Sequence, residues 1–102
     1  NSKVKMIIAR MEATPEAEFL VEDMASEATL STVAFIDAFK RATGLTPHAY
    51  LLDVRVKRAR VDLSNPKLSV AAIASRYRFP SPQHFATVFK RITGISPSKC
   101  RK

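Results

Sequence analysis

The chain is 102 residues long, 46% hydrophobic and 25% charged, with a formal net charge of +8. This length predicts one domain with a modest core and no second domain, and a single cysteine excludes an internal disulfide framework. One cysteine and two histidines also give poor material for a zinc site, so no metal and no other cofactor is expected. The positive charge favours a polyanionic partner, and it is uneven: residues 1–37 hold three Lys/Arg against seven Asp/Glu, whereas residues 38–102 hold fourteen against two.

The chain carries no sign of a membrane segment. No apolar run approaches the length of a membrane span, and the apolar stretch near residue 6 is too short for a signal-peptide core. We therefore expect a soluble protein of a reducing compartment, with no membrane partner. The chain ends soon after a helix-start signal at Ser96-Pro97, as a fragment of a longer protein would.

The first third of the chain predicts two helices. Apolar residues at i, i+3, i+4 and i+7 predict a helix over residues 3–13, followed by a break at Thr14-Pro15. The second helix begins either at Pro15 or near Leu20, and both starts remain open. A short turn at Thr29-Leu30 ends it.

Capping signals predict the helices that follow. Ser31 caps a helix that runs to residue 43, where Gly44 ends it. Thr46-Pro47 begins a long helix that ends near residues 64–66, and Ser69 caps a short one over residues 70–77. Ser81-Pro82 begins the next, over residues 81–93. No segment shows sustained strand alternation, so we predict an all-α fold of about seven helices, the last one truncated.

The long helix has an unusual pattern, with apolar residues on two opposed sides. A helix of this kind is expected to lie between two lobes. One side holds Tyr50, Val54 and Val61, and the other holds Leu52, Val56, Ala59 and Leu63.

The chain repeats itself at an offset of 50 residues. An internal repeat indicates one structural unit built twice, so it decides the architecture. The identical pairs are Ser31/Ser81, Phe35/Phe85, Phe39/Phe89, Lys40/Lys90, Arg41/Arg91, Thr43/Thr93, Gly44/Gly94 and Pro47/Pro97.

The two copies differ on the side that faces away from the phenylalanines. With those rings inward, 100° per residue places positions 33, 36, 37 and 40, and likewise 83, 86, 87 and 90, on an outer face. Only the lysine is shared. Val33, Ile36 and Asp37 in the first copy correspond to Gln83, Ala86 and Thr87 in the second. The scaffold is kept while the outer surface changes, as expected of a unit that presents two different recognition surfaces.

Each copy follows the helix-turn-helix plan, in which the second helix enters the major groove of DNA. We predict a first lobe over residues 1–45, a linker helix over 46–65 and a second lobe over 66–102. A linker of about 17 residues spans about 25 Å at 1.5 Å per residue. With the widths of the helices added, the two recognition helices lie near the ~34 Å of one DNA turn, so one chain could occupy two successive major grooves.

The outer faces supply the candidate DNA-reading residues. Gln83 is the strongest, because its amide can pair with adenine N6 and N7, while Thr87 could contact a thymine methyl group. The alternative is that these side chains are only solvated. The full base-reading set is Gln83, His84, Thr87, Val33, Ile36 and Asp37, and the phosphate set is Ser31, Lys40, Arg41, Ser81, Lys90 and Arg91.

A set of residues spread over nearly the whole chain forms a recognisable pattern: Ala74, Phe79, the stretch 85–91, the Thr93-Gly94-Ile95-Ser96-Pro97 motif and Arg101, and in the first half the stretch 35–47, Tyr50, Arg55 and Ala59. In these residues the chain resembles the AraC/XylS family of bacterial transcription regulators. The resemblance implies a two-lobed, seven-helix domain that binds double-stranded operator or promoter DNA in the bacterial cytoplasm, at the nucleoid. It also implies attachment to an N-terminal sensor or dimerisation domain, which this chain does not contain.

The sequence departs from the family pattern at four positions. Thr29 and Arg78 stand where the family often has glycine, so each turn either is less tight or holds a non-glycine residue in the left-handed region. Cys100 replaces a usual aromatic residue. Asp37 replaces a residue that is often basic, and its carboxylate is repelled by phosphate although it can accept from cytosine N4.

Two other classes of function are open to such a sequence. In the first, the acidic first lobe docks RNA polymerase or a partner domain while the second lobe holds DNA. In the second, the chain is an enzyme with Cys100 as nucleophile, but a near-terminal cysteine beside Lys99 and Arg101 has no evident base or pocket, so no enzyme is predicted.

Overall fold

The computed structural model describes residues 1–101, and the prediction of an all-α fold is confirmed there. Those residues form seven α-helices and no strand. The helices are α1 (Ser2–Ala13), α2 (Val21–Glu27), α3 (Thr32–Thr43), α4 (Pro47–Asp62), α5 (Val70–Arg76), α6 (Pro82–Thr93) and α7 (Pro97–Arg101). None of these helices is long and apolar enough to cross a membrane.

The chain divides into two compact units inside α4. The first unit runs from Asn1 to Leu51 and the second starts at Leu52. The predicted bounds of the lobes, 1–45 and 66–102 with a linker over 46–65, remain predictions.

The first unit packs α1, α2 and α3 around one core, to which α4 adds Leu51. The predicted α1 stripe is confirmed, because Val4, Ile7 and Met11 are buried together with Phe35 and Phe39 of α3. The start of α2 at Val21 decides between the two predicted starts in favour of the later one. The segment after Thr14 instead forms a turn, in which the amide of Ala17 donates to the Thr14 carbonyl oxygen over 3.1 Å.

The second unit repeats this plan around α4, α5 and α6. Ile73 and Ala74 of α5 pack with Phe85 and Phe89 of α6. Cys100 of α7 is half-buried against the same core, which gives it a packing role.

The two opposed apolar sides predicted for α4 are not both buried. Val56, Ala59 and Leu63 are buried in the second core, but Val61 is 67% exposed, so the prediction is wrong for that residue. The buried residues follow the i, i+3, i+7 rule and share one side of the helix. Val61 lies five residues after Val56, which places it well away from that side at 100° per residue.

The two helix-turn-helix turns adopt the same geometry, and of the two alternatives that the absence of glycine left open they follow the second, a non-glycine residue in the left-handed region. Thr29 has φ of 57° and Arg78 has φ of 65°. In the first turn the amide of Thr29 donates to the Ser26 carbonyl oxygen and that of Leu30 donates to Ala25, over 3.0 and 2.9 Å, and the same pattern recurs at Arg78 and Phe79. This is the Schellman motif, whose left-handed residue is usually glycine.

Thr29→Gly is expected to stabilise the chain by up to about 1 kcal/mol. The left-handed region costs a non-glycine residue about 1–2 kcal/mol, and the extra freedom of glycine in the unfolded chain offsets part of that gain. Urea denaturation of both proteins measures the difference. Ser26→Gly, on the exposed side of α2, is the control and is expected to lose about 0.5–1 kcal/mol. A Thr29→Gly protein that is no more stable than the parent contradicts the strain argument.

A polar contact ties α5 to the end of α4 in the second unit. The hydroxyl group of the buried residue Tyr77 donates to Asp62 Oδ2 over 2.6 Å, and Arg76 donates to the same oxygen over 3.3 Å. Burial, together with this hydrogen bond to Asp62, raises the pKa of Tyr77 to about 12.

The raised pKa of Tyr77 predicts a loss of stability at alkaline pH. The folded chain holds the Tyr77 hydroxyl neutral more strongly than the unfolded chain does. The contribution of this contact to the free energy of unfolding is therefore complete below pH 10 and is lost as pH rises through about 12. Urea unfolding of the parent and of Tyr77→Phe at pH 8 and pH 11.5 measures it. We expect the variant to be about 1–3 kcal/mol less stable at pH 8 and the gap to shrink at the higher pH. A gap that does not change with pH would contradict this assignment.

Candidate nucleic-acid interface

The helices α3 and α6, each the second helix of a helix-turn-helix, have the same scaffold. Ser31 and Ser81 cap them as predicted, with each hydroxyl oxygen accepting from the amide three residues on, over 3.1 and 3.0 Å. Both end at a left-handed glycine, Gly44 and Gly94, also as predicted. The phenylalanine pairs on their inner faces are fully buried. Core burial therefore fixes which residues of each helix point away from the protein.

The outer face of α6 presents all three of its predicted base-reading residues to solvent. Gln83 and His84 lie in the first turn, the part of a recognition helix that meets base edges. The Thr87 hydroxyl donates to the Gln83 carbonyl oxygen over 3.0 Å, which leaves its γ-methyl group and the lone pairs of its oxygen for a base. The His84 ring lies beside Phe79, with ring centroids 6.1 Å apart. Within one helical turn, this face offers hydrogen-bond donors, hydrogen-bond acceptors and an apolar methyl group to a base.

The outer face of α3 has different chemistry. Val33 is 77% exposed, whereas Ile36 is half-buried and lies on the flank of the helix. The exposed Asp37 accepts a hydrogen bond from Arg41, one helical turn further on, as an ion pair. This pair was not predicted, although the i, i+4 spacing of the two residues indicates it. Asp37 and Arg41, two of the residues predicted to contact DNA, thus pair with each other.

The predicted phosphate-binding residues lie at the two ends of each helix. Lys40, Arg41, Lys90 and Arg91 are exposed in the last turns of α3 and α6. Arg91 has no carboxylate in the position that Asp37 holds beside Arg41, because Thr87 stands there. The basic end of α6 is therefore the stronger candidate for phosphate contact.

The capping serines keep a donor for phosphate. Each uses its hydroxyl oxygen to accept the cap hydrogen bond, which leaves the O–H group to donate. Hydroxyl groups at helix N-termini are common phosphate ligands in protein–DNA complexes.

The second unit also carries a cation that the candidate sets omit. Arg55 of α4 is buried at 9% exposure, and burial, with the charge of Arg78, lowers the pKa of its guanidinium group. An arginine stays charged despite such a shift.

The two units differ in their charge. The chain from residue 52 onward holds twelve Lys/Arg against two Asp/Glu, while residues 1–51 hold five against seven. The positive potential therefore belongs to the second unit.

Comparison with known proteins agrees with this geometry. A protein-family model described as a helix-turn-helix domain matches residues 24–102. The Msm operon regulatory protein of Streptococcus mutans is 34% identical over 106 residues, covering 100% of this chain and 38% of that protein. The transcriptional activator RhaR of Escherichia coli is 32% identical over 95 residues, covering 93% of this chain and 34% of RhaR. The chain thus spans little more than a third of the length of these relatives.

A solved structure shows the same fold with a ligand in place. The DNA-binding domain of the global transcriptional factor AdpA, crystallised with a target DNA, superimposes with a TM-score of 0.88 and 31% identity, covering 96% of this chain and 88% of that one. An AraC-type regulator from Chromobacterium violaceum superimposes with a TM-score of 0.87 and 28% identity, covering 98% of this chain and 89% of that one. These relatives are transcription regulators and not enzymes. With two helix-turn-helix motifs on an all-α scaffold and the family match over most of its length, the chain belongs to the AraC/XylS family of transcription regulators.

Proposed function

We propose that this chain is the sequence-specific, double-stranded DNA-binding part of a bacterial transcription regulator. The observation that carries the proposal is the outer face of α6, where Gln83, His84 and Thr87 are exposed between the capping Ser81 and the basic residue Lys90. Base-reading groups lie in the middle of this helix and phosphate-binding groups at its ends, which is the arrangement that a major groove requires. The DNA complex of the AdpA domain supports the same assignment.

The two recognition helices contribute unequally in this proposal. α3 and α6 enter successive major grooves, and their different outer faces read different half-sites. The operator is then asymmetric and is bound by one chain, unlike the palindrome that a symmetric helix-turn-helix dimer requires. Because Asp37 is paired with Arg41 and repels phosphate, α6 supplies most of the affinity and α3 reads more weakly through Val33, Ile36 and Asp37.

Selection from a pool of random DNA duplexes at near-physiological salt tests the proposal. We expect enrichment of an asymmetric site with two half-motifs one DNA turn apart, the half-motif for α6 containing an adenine. Enrichment of one half-motif alone would restrict base reading to Gln83, His84 and Thr87. A pool without any enriched sequence would contradict specific binding.

The same selection with Asp37→Ala tests the role of α3. A changed or strengthened half-motif assigns α3 to base reading. An unchanged site and affinity, combined with loss of transcription activation in the cell, would instead support docking of the first lobe on a protein.

The remaining partners are proposed on the relatives alone. The named relatives are much longer than this chain, and one is an activator. We infer an intact regulator with a sensor or dimerisation domain, which works as an activator beside RNA polymerase on DNA of the bacterial nucleoid.

A further inference from the structure

An open apolar groove lies in the first unit, on a flank of its helix-turn-helix. Its cavity volume is about 380 Å³, within the range of about 300–1,000 Å³ that ligand sites occupy. The wall comes from α2 and the segment before it, from the flank of α3 and from the first turns of α4. The apolar lining is Phe19, Leu20, Val21, Met24, Ile36, Pro47 and Leu51.

One residue on the groove departs from what the local structure prefers. Leu20 holds the N-cap position of α2 and makes no side-chain cap hydrogen bond. A serine or aspartate at this position is worth about 1 kcal/mol to a helix. Leu20 gives up that stabilisation and leaves an apolar side chain 47% exposed at the groove. Such a conflict with a local rule is typical of a functional site.

The charge around the groove excludes DNA as its occupant. Residues 11–39 contain seven Asp/Glu and no Lys or Arg. Glu22 lines the groove, while Glu18 and Asp23 are exposed next to lining residues. These three carboxylates make no ion pair within residues 1–101. A phosphate backbone is repelled from such a surface and a basic chain is attracted to it.

The shape and lining of the groove select one mode of recognition. The described residues form no strand, so they offer no sheet edge to which an extended peptide could add. Grooves for proline-rich peptides are lined by aromatic rings, whereas this lining is mostly aliphatic. An amphipathic helix with apolar anchors at i, i+3 or i+4, and i+7 matches such a groove.

We propose that this groove docks an amphipathic helix of a partner protein, which buries two or three apolar side chains between α2 and α4 and pairs flanking lysines or arginines with Glu18, Glu22 and Asp23. The docking is independent of DNA reading by α6. The first unit then binds a protein at this flank, in addition to the proposed contact of the outer face of α3 with DNA.

Selection from a displayed library of random peptides about 16 residues long tests the proposal, with the whole chain as bait. Leu20→Asp serves for counter-selection. This variant removes the apolar contact, adds a helix cap and raises the negative charge, so neither unfolding nor weaker electrostatics would account for lost binding. The enriched peptides are expected to carry helical apolar spacing and flanking Lys/Arg.

The affinity of the enriched peptides for three variants completes the test. Leu20→Asp and Glu22→Lys are expected to weaken binding by about tenfold or more, whereas Met6→Asp, at a more exposed apolar residue of α1 outside the groove, leaves it unchanged. The DNA sequence selected by α6 should stay the same in all three variants. Because DNA binding by the parent chain is measured separately, a failure of the proposed function is distinguished from a failure of docking. A pool without enrichment, acidic peptides, or peptides that bind Leu20→Asp equally well would overturn the proposal.

Discussion

Gln83→Ala is expected to reduce affinity for the selected DNA site by about ten- to a hundredfold. A side-chain amide that pairs with adenine N6 and N7 is worth about 1–3 kcal/mol of discrimination, and alanine supplies neither the donor nor the acceptor. Gln83 lies in the exposed first turn of α6, so its removal disturbs no buried residue. Titration of a labelled duplex, with its adenine half-motif intact or replaced base by base, measures the effect.

Two features of that experiment separate base reading from sequence-independent electrostatic attraction to the DNA backbone. With Gln83→Ala, the preference for adenine should disappear at one position while the dependence of affinity on salt stays the same. Lys90→Ala, the control, should weaken all duplexes alike and lower the salt slope by about one. Val33→Ala, at the corresponding position of α3, should have a smaller effect. Uniform weakening by Gln83→Ala across all sequences would show that Gln83 does not read a base.

Arg101→Ala is expected to destabilise the second unit by about 2–4 kcal/mol. The Arg101 guanidinium group donates to three backbone carbonyl oxygens just after α4: to Leu63 over 3.1 Å, to Asn65 over 3.3 Å and to Leu68. Hydrogen bonds from a charged donor contribute about 1.5–3 kcal/mol each, but the half-exposed position of Arg101 and the access of water to these carbonyl groups reduce the total. Urea denaturation measures the loss.

Matched variants test whether the geometry of the guanidinium group or only its charge is needed. Lys99→Ala removes an exposed cation two residues away and should change stability by less than about 0.5 kcal/mol. Arg101→Lys keeps the charge but cannot reach several carbonyl groups at once, so it should recover only part of the loss. Full recovery by lysine would contradict a requirement for the planar donor group.

Local signals in the sequence were sufficient to predict most of the helices. The i, i+3, i+7 stripe of α1 and the caps at Ser31, Ser69 and Ser81 each depend on neighbours within one or two turns. The start of α2 was not decided by such signals, because both Pro15 and Leu20 are followed by residues compatible with a helix. Which of them begins the helix depends on the packing of the whole first unit.

For the candidate site too, local sequence signals predicted some features and not others. The exposure of Gln83 and Thr87 follows from the inward position of Phe85 and Phe89, which a helical projection supplies. The carbonyl contacts of Arg101 could not be predicted from the sequence, because they join residues 33 to 38 positions apart that no periodicity relates. Long-range contacts of this kind depend on the folded backbone.

The duplicated scaffold has a consequence for how such a regulator changes during evolution. In α3 and α6 the buried phenylalanines, the serine cap and the terminal glycine are the same, while the outward residues other than Lys40 and Lys90 differ and are mostly exposed. In the proposed binding mode, a substitution on one outward face therefore alters one half-site with little cost to folding, and the other helix continues to hold the DNA. New operators become accessible through a series of single changes, each of which leaves a folded protein that still binds DNA.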